Sequence, residues 1–232
     1  MPPKTVVIHQ PDFLPYLGFF QRFVHADLYI ALDHVQFVQH TQNAWTHRDK
    51  IKTPKGAAWL SLAVKKCPLD TAIKDVELAD TPWRKDHLNL LFENYKDAPY
   101  FDMMYGGLER IYGESHARMA DLNLALMDLI CGFVAIDIPR VRSSDIAHDG
   151  SKSELVAGLV EAVNGTRYLS GTGAKAYHEQ EPFDRRGIEV AWQAFQHPTY
   201  PQLHGPSLPG LSIIDTLFNC GPEWTRDMLH ES

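Results

Sequence analysis

The first 32 residues of the chain follow the order strand, turn, helix, strand, which is the pattern of a βαβ unit. Residues 5–8 are short and apolar and predict a buried strand, and residues 28–32 predict a second one. Between them, residues 18–26 carry Phe19, Phe20 and Phe23 at helical spacing. Because such crossovers are right-handed and join parallel strands, this segment predicts a parallel sheet.

The middle of the chain is predicted to be helical. A polar, basic loop over residues 37–56 leads to a third predicted strand at 58–64. Helical patterns then cover residues 82–96, 103–112 and 117–130, so we expect a helical lobe at 80–132 within a single domain of residues 1–232.

The last hundred residues return to alternating strands and helices. Ser151 and Glu154 predict a capping box at the start of a helix over 151–163. Strands are predicted at 138–142, 167–169 and 188–195, an irregular loop at 197–210, and a short apolar helix at 211–219. The predicted fold is therefore an α/β sandwich with a parallel core and an inserted helical region.

Charge and cysteine content narrow the functional classes. A net charge of −7 disfavours nonspecific binding to nucleic acids or anionic membranes, and no apolar run approaches the ~20 residues of a membrane span. The N-terminus lacks the apolar core of a secretory signal. Three widely spaced cysteines without a CxxC motif predict reduced thiols in the cytoplasm, and without HxH or HExxH we expect no dedicated metal site.

The residues that follow the first two strands are the first candidates for chemistry. Ligands of parallel α/β sheets bind at the carboxyl ends of strands, where His9 and Gln10 are expected. His9 is a candidate acid or base near neutral pH. Asp33 follows the second strand, where it would orient His9 or bind a ribose or a metal ion. The alternatives are a histidine that caps a backbone group and an aspartate in a surface turn.

We expect Gln36 to recognise polar substrate groups, and a basic, aromatic segment follows it. Such a segment in an acidic chain suggests a local site for phosphate or carboxylate, with Arg48 holding the anion. A solvated charge run or a nucleic-acid surface is the alternative. The segment contains His40, Trp45, His47, Arg48, Lys50, Lys52 and Lys55.

Two further loops supply candidate residues. In the sequence SGTGAK, Ser170, Gly171 and Lys175 follow a predicted strand, and their backbone and ammonium groups would hold an anion. The sequence is neither a P-loop nor GxGxxG, so a plain tight turn is the alternative. The proline-rich loop HPTYPQ offers His197 as a second acid or base, and Tyr200 and Gln202 for recognition; a packed connection is the alternative.

Several motifs together resemble the WbqC-like family. VVIHQPDFLPYLGFFQRFVHADLYIALDHVQF resembles the family's opening, and IKTPKGAAWLSLAV, YLSGTGAKAY, HPTYPQL and LSIIDTLFNCG continue the similarity over nearly the whole chain. The chain departs from the family at His47, where Asn is frequent, and at Ala63, where Pro is frequent. The family motifs fall on His9, Gln10, Pro11, Pro15, Gly18, Asp33, Gln36, Arg48, Trp59, Ser170, Gly171, Tyr177, His197, Tyr200, Gln202 and Asp215.

The resemblance implies a bacterial cytoplasmic protein connected with surface-polysaccharide (O-antigen) biosynthesis, without naming a reaction or a cofactor. The opening is also similar to nucleotidylyltransferases of the HIGH superfamily, although Phe19 stands where their motif has its second His. We therefore expect a transferase that moves an acyl or nucleotidyl group on a small anionic substrate, such as a nucleotide or sugar nucleotide. The alternative is a ligand-binding or scaffold protein without catalysis.

Overall fold

The computed structural model describes residues 4–39, 41 and 44–231, and these residues form seven strands. The strands are β1 (Thr5–His9), β2 (Leu28–Ala31), β3 (Arg48–Thr53), β4 (Gly56–Ser61), β5 (Arg140–Arg142), β6 (Arg167–Ser170) and β7 (Glu189–Trp192). Five of them form one sheet in the order β5-β2-β1-β6-β7, in which all neighbours run parallel. The predicted α/β fold with a parallel core is confirmed.

The described helices correspond closely to the predicted ones. They are α1 (Leu17–Val24), α2 (Trp83–Tyr95), α3 (Phe101–Gly113), α4 (Met119–Phe133), α5 (Lys152–Ala162), α6 (Glu181–Asp184) and α7 (Ile213–Glu231). The helices α2, α3 and α4 occupy the predicted helical region of residues 80–132 and share one apolar core with α1 and α7. A distinct helical lobe there stays a prediction. None of the helices in the described ranges is long and apolar enough to span a bilayer.

Alternating side chains of the central strands supply two separate cores. Val7 and Tyr29 face the large core that α1, α4 and α7 cover. Val6, Ile8 and Ile30 face a smaller core beneath α5 and the strand-flanking helix α6. This period-2 division places helices on both faces of the sheet, as parallel sheets require.

The strand order places a topological switch point beside β1. From β1 the chain proceeds to β2 and β5 on one side, and it later returns to β6 and β7 on the other. Ligands of open α/β sheets bind in the crevice at such a point, outside the carboxyl ends of the strands. The ends of β1 and β6 and the helix α1 are therefore the first place to seek a site.

The predicted loop over 37–56 is wrong in its second half, because residues 48–53 form β3. This strand pairs antiparallel with β4 in a separate two-stranded sheet, so the predicted third strand does not join the parallel sheet. Asp49 and Ile51 are buried and alternate with cationic residues on the other face. The cations on that face concealed the period-2 pattern from sequence reading.

Two details of the predicted helices also need correction. The Ser151 side chain makes no cap hydrogen bond, and Glu154 pairs with Arg185 at 2.6 Å and with Arg186, so no capping box forms. The last helix continues to Glu231 past a kink at Gly221, whose φ of 81° is in the left-handed region. A glycine there lets the chain turn before Pro222 restarts the helix.

Candidate functional site

His9 ends β1 at the switch point and is paired with a carboxylate. Its Nδ1 lies 3.3 Å from Oδ2 of Asp12 and 3.1 Å from the carbonyl oxygen of Gln10. Asp12 is 5% exposed, and its Oδ1 lies 3.2 Å from the hydroxyl of Thr46, which also contacts Oε1 of Gln10. The turn after β1 thus folds the carboxylate back under the imidazole.

The Gln10 carbonyl fixes the tautomer of His9. A carbonyl oxygen can only accept a hydrogen bond, so Nδ1 must carry the hydrogen that joins them. In neutral His9 the lone pair is then on Nε2, for which the described residues provide no hydrogen-bond partner. With 37% of its side chain exposed, His9 has the arrangement of an oriented general base.

Burial shifts both members of this pair toward their neutral forms. Desolvation, followed by the positive charge of Arg22, lowers the pKa of His9, and the Gln10 carbonyl opposes the shift. Desolvation raises the pKa of Asp12 to about 7, although Thr46 and Arg22 both favour the carboxylate. The imidazole of His9 is therefore neutral near pH 7, and Asp12 is the member of the pair whose charge changes near that pH.

Arg22 on α1 is the buried cation of this region. It is 3% exposed, its Nε has no hydrogen-bond partner in the part of the chain that the structure describes, and its guanidinium lies 5.3 Å from the centre of the Phe19 ring. His9 contacts the same ring edge-on at 5.1 Å. A Cβ on Gly171, just after β6, would lie 3.6 Å from Nη1 of Arg22. Arg22 therefore bridges the ends of β1 and β6.

Aromatic side chains form the outer wall beside these residues. Tyr16 is 37% exposed and stacks on His197 with ring centres 6.5 Å apart. A Cβ at Gly18 would lie 2.4 Å from Tyr16 and 2.6 Å from Phe195, so only glycine permits this close approach. We call His9, Asp12, Tyr16, Arg22 and Gly171 the switch-point site.

His197 is held at the rim of this wall. Its Nδ1 lies 3.3 Å from the carbonyl oxygen of Pro198, and its buried Nε2 has no hydrogen-bond partner. Desolvation lowers the pKa of His197, so the ring is neutral at pH 7. Its stacking on Tyr16 brings this sequence-predicted residue to the switch-point site.

The structure places Asp12, and not the predicted Asp33, beside His9. Asp33 is fully buried, and its carboxylate accepts hydrogen bonds from both the backbone and the hydroxyl of Ser144 and from the hydroxyl of Ser143. Arg142 lies 3.6 Å away. With these partners, Asp33 ties the end of β2 to the end of β5.

The predicted residues of the basic segment face other parts of the chain. Arg48 donates hydrogen bonds to the carbonyls of Ala44 and Thr41 and stacks 4.2 Å from the centre of the Trp59 ring. Gln36 donates to the carbonyl of Leu69 at 2.6 Å. Both side chains hold loops together, and His40 lies outside the described residues.

The loop after β6 divides between the site and the surface. Ser170 is 1% exposed and donates a hydrogen bond to the hydroxyl of Tyr168, while Gly171 lies against Arg22. Lys175 is exposed on a 3₁₀ helix (Thr172–Tyr177), with Nζ 5.5 Å from the centre of the Trp192 ring. Only the first half of the motif reaches the switch-point site.

Tyr200 and Gln202 belong to the interior of the C-terminal loop. Tyr200 is 3% exposed and donates a 2.8 Å hydrogen bond to Asp215. Gln202 exchanges two hydrogen bonds with the backbone of Leu208 and so closes the loop 202–208. The structure thus gives both side chains protein partners, and their recognition of substrate groups stays a prediction.

Sequence reasoning did not single out Asp12 or Arg22. Asp12 carried a local signal, because it follows His9 by three residues in a proline-flanked turn. Arg22 gave only a weak signal, a cation among the phenylalanines of α1, and its burial depends on β6 arriving from distant sequence. No group of three or more His, Cys, Asp or Glu residues suited to a metal ion occurs in the described ranges.

Comparisons with known proteins identify relatives of this chain, and they name no reaction. The chain is 32% identical over 223 residues to a Mycobacterium tuberculosis (strain ATCC 25618 / H37Rv) protein named "Uncharacterized protein Rv1507c", covering 95% of both chains. No solved structure matches the chain. The model of the WbqC-like protein family matches residues 10–227, and the chain therefore belongs to the WbqC-like protein family.

Proposed function

We propose that the protein is an enzyme that transfers an acyl or nucleotidyl group to or from a small anionic substrate. The observation that carries this proposal is the His9–Asp12 pair at the switch point, with Nδ1 of His9 engaged and Nε2 without a hydrogen-bond partner among the described residues. An oriented imidazole of this kind accepts a proton from an attacking hydroxyl or amine, and a positioned base contributes about 10²–10⁴ in rate.

Each residue of the switch-point site has a role in this proposal. His9 is the base that removes a proton from the attacking group and later returns it to the leaving group. Asp12 holds the Nδ1 hydrogen and stabilises the imidazolium that forms, the part that the sequence assigned to Asp33. Tyr16 and Gln10 recognise polar groups at the mouth of the site, and His197 is a second acid or base across Tyr16.

The biological setting of the proposal comes from the family resemblance. Bacterial surface-polysaccharide (O-antigen) or related amino-sugar biosynthesis in the cytoplasm would supply sugar nucleotides, which combine an anionic group with a reactive sugar. The parallel sheet and its ligand crevice are compatible with a nucleotide-linked substrate. A HIGH-type nucleotidyl transfer is the narrower version, and Phe19 in place of that motif's second His weakens it.

Turnover separates the enzyme from its alternative, a non-catalytic binding or scaffold protein. The purified chain is incubated with nucleoside triphosphates, UDP- and dTDP-sugars, acetyl-CoA and amino acids, and the mixtures are analysed by mass spectrometry. We expect a transfer product with the wild type and a loss of about 10²–10⁴ in rate with His9→Gln. Binding of a ligand that remains unchanged would instead favour the non-catalytic protein.

The variant Asp12→Asn checks the role of the carboxylate beside His9. Asp12→Asn keeps the size of the side chain and removes its charge, so the imidazolium of His9 loses its stabilising partner. We expect a lower kcat with little change in KM, because the interaction strengthens only as charge develops on His9. A full rate with Asp12→Asn would remove Asp12 from the mechanism.

A further inference from the structure

We infer that Arg22 is the anchor for a carboxylate group of the ligand, and this inference rests on the proposed function for the identity of the site. The first observation is the state of the guanidinium itself. Arg22 is 3% exposed, and among the described residues its Nε has no hydrogen-bond partner and no carboxylate lies within 4 Å of its nitrogens. A charge buried in this way lacks the counter-ion that an anionic ligand group would supply.

A second buried cation shows how this fold treats a structural charge. Lys52 is 1% exposed, and its Nζ donates hydrogen bonds to the carbonyls of Gly205 and Pro206 at 3.1 and 2.6 Å. Arginine remains protonated in proteins, so Arg22 keeps its positive charge although it is buried. Burying an ion without a partner is unfavourable by several kcal/mol, which a bound anion would offset.

The surroundings of Arg22 select a single negative charge. Tyr16, Tyr29 and Tyr168 all interact electrostatically with the guanidinium, and burial raises the pKa of each phenol, so they remain neutral donors. Asp12 lies close enough to favour the charged form of Arg22, and it already supplies partial negative charge. With one cation and this neighbour, the site suits a monoanion better than a phosphate dianion.

The shape of the side chain points to the same ligand. A guanidinium presents parallel N–H groups that match the two oxygens of a carboxylate. Gly171 lies against Nη1 and presents no side chain, so this neighbour meets the guanidinium with backbone alone. His9 and Arg22 both contact the Phe19 ring, so a carboxylate held by Arg22 would place the rest of the ligand near the imidazole.

Binding at Arg22 would also act on His9. The positive charge of Arg22 is one of the two causes that lower the pKa of His9. A carboxylate that pairs with Arg22 cancels much of this charge, so the pKa of His9 should rise toward neutral values. A stronger base would then be present only when the ligand is bound.

The test uses thermal unfolding with sodium acetate and with inorganic phosphate at constant ionic strength. We expect acetate to raise the Tm of the wild type by a few degrees once it exceeds its dissociation constant about tenfold, and phosphate to raise it less. Arg22→Met should remove the acetate effect and, without acetate, keep a Tm at or above that of the wild type. Arg110→Met is the control, because Arg110 is exposed and paired with Glu114.

Several outcomes would overturn the inference. No acetate effect on the wild type, or an equal effect on Arg22→Met, would remove Arg22 as the anchor. A strongly lowered Tm of Arg22→Met without acetate would show a structural role. A larger effect of phosphate would contradict the assignment of a carboxylate.

A second readout keeps this inference separate from the proposed reaction. In an NMR titration, acetate should raise the pKa of His9 in the wild type and leave it unchanged in Arg22→Met. His9→Gln should retain the acetate effect on Tm, since it keeps Arg22. If the acetate effect persists while no substrate is turned over, the anchor stands and the proposed enzyme activity fails.

Discussion

Two clusters of buried polar groups in this protein differ in how completely their members are paired. In the first, Asp215 is fully buried and accepts hydrogen bonds from Tyr95 at 2.6 Å, from Tyr200 at 2.8 Å and from Asn219. Lys52 donates its backbone N–H to the Tyr95 hydroxyl. We call these five residues the Asp215 network.

The switch-point site is built from similar groups and leaves individual polar atoms of two of them unpaired. The Nε of Arg22 has no partner, and Nε2 of His9 has no protein partner in the described part of the chain. Buried polar groups in native proteins are nearly always paired, so an unpaired set requires an explanation. The contrast indicates that the Asp215 network stabilises the fold, and it supports the proposal that the switch-point site binds a ligand.

Removal of the central acid should break the Asp215 network and produce the largest effect. Asp215→Ala leaves the buried hydroxyls of Tyr95 and Tyr200 without their acceptor and removes a negative charge near Lys52, so we expect a loss of about 3–5 kcal/mol in the free energy of unfolding. Urea denaturation measures it. Asp227→Ala, at a side chain that is 60% exposed, is the control and should change stability by less than about 0.5 kcal/mol. Similar values for both variants would contradict a structural role of the network.

A methyl group at Gly18 should test how tightly the aromatic wall is packed. Gly18→Ala places a Cβ 2.4 Å from Tyr16 and 2.6 Å from Phe195, and overpacking of this kind costs about 1–3 kcal/mol. Gly158→Ala in α5 has no atom within 4 Å of its new Cβ and should stabilise by up to about 1 kcal/mol. Equal stabilisation by both changes would show that the aromatic wall accommodates a methyl group at Gly18.

The pH dependence of stability should separate the two members of the His9–Asp12 pair. Asp12 has its pKa raised from 3.8 to about 7, so folded protein holds an extra proton between these values, and stability falls as the pH rises. His9 has its pKa lowered from 6.5 to about 3, so the unfolded chain holds the extra proton, and stability rises with pH. In the wild type the two slopes oppose each other between about pH 4 and 6.5.

Single variants should expose each slope. His9→Gln leaves Asp12, whose contribution to stability should fall from about pH 4 to 7; Asp12→Asn leaves His9, whose contribution should rise from about pH 3 to 6.5. The second slope should be the weaker one, because 37% of the His9 side chain reaches solvent. Arg22 and Asp49 remain near the pair in both variants. Because the other shifted groups remain in both variants, the stability of Asp12→Asn minus that of His9→Gln should rise between about pH 4 and 6.5 in urea denaturation, and a flat or falling difference would refute the assignment.

The smallest effect is expected at Lys175, which the sequence placed in the anion site. Its ammonium is exposed and contacts Trp192, so Lys175→Gln should change the free energy of unfolding by less than about 0.5 kcal/mol. We also expect an unchanged response of Tm to acetate. A lost response would extend the switch-point site outward along the loop after β6.

The sequence by itself determined the parallel sheet and the position of His9. Strand β1, helix α1 and strand β2 follow from local periodicity, and a polar residue directly after a buried strand must lie at the sheet edge. The helices α2, α3 and α4 could equally be predicted from the sequence, because each buries apolar residues at helical spacing. These features need only neighbouring residues for their specification.

Tertiary structure alone decided which polar groups meet. Asp12 and Asp33 were both candidates for the carboxylate beside His9, and only the folded turn and the partners at β5 distinguish them. The cations of β3 obscure its alternating pattern in the sequence, and only the pairing with β4 identifies it as a strand. Arg22 is a buried charge because β6, which begins 145 residues further along the chain, brings Gly171 against it. Burial and pairing depend on long-range packing, which local patterns do not specify.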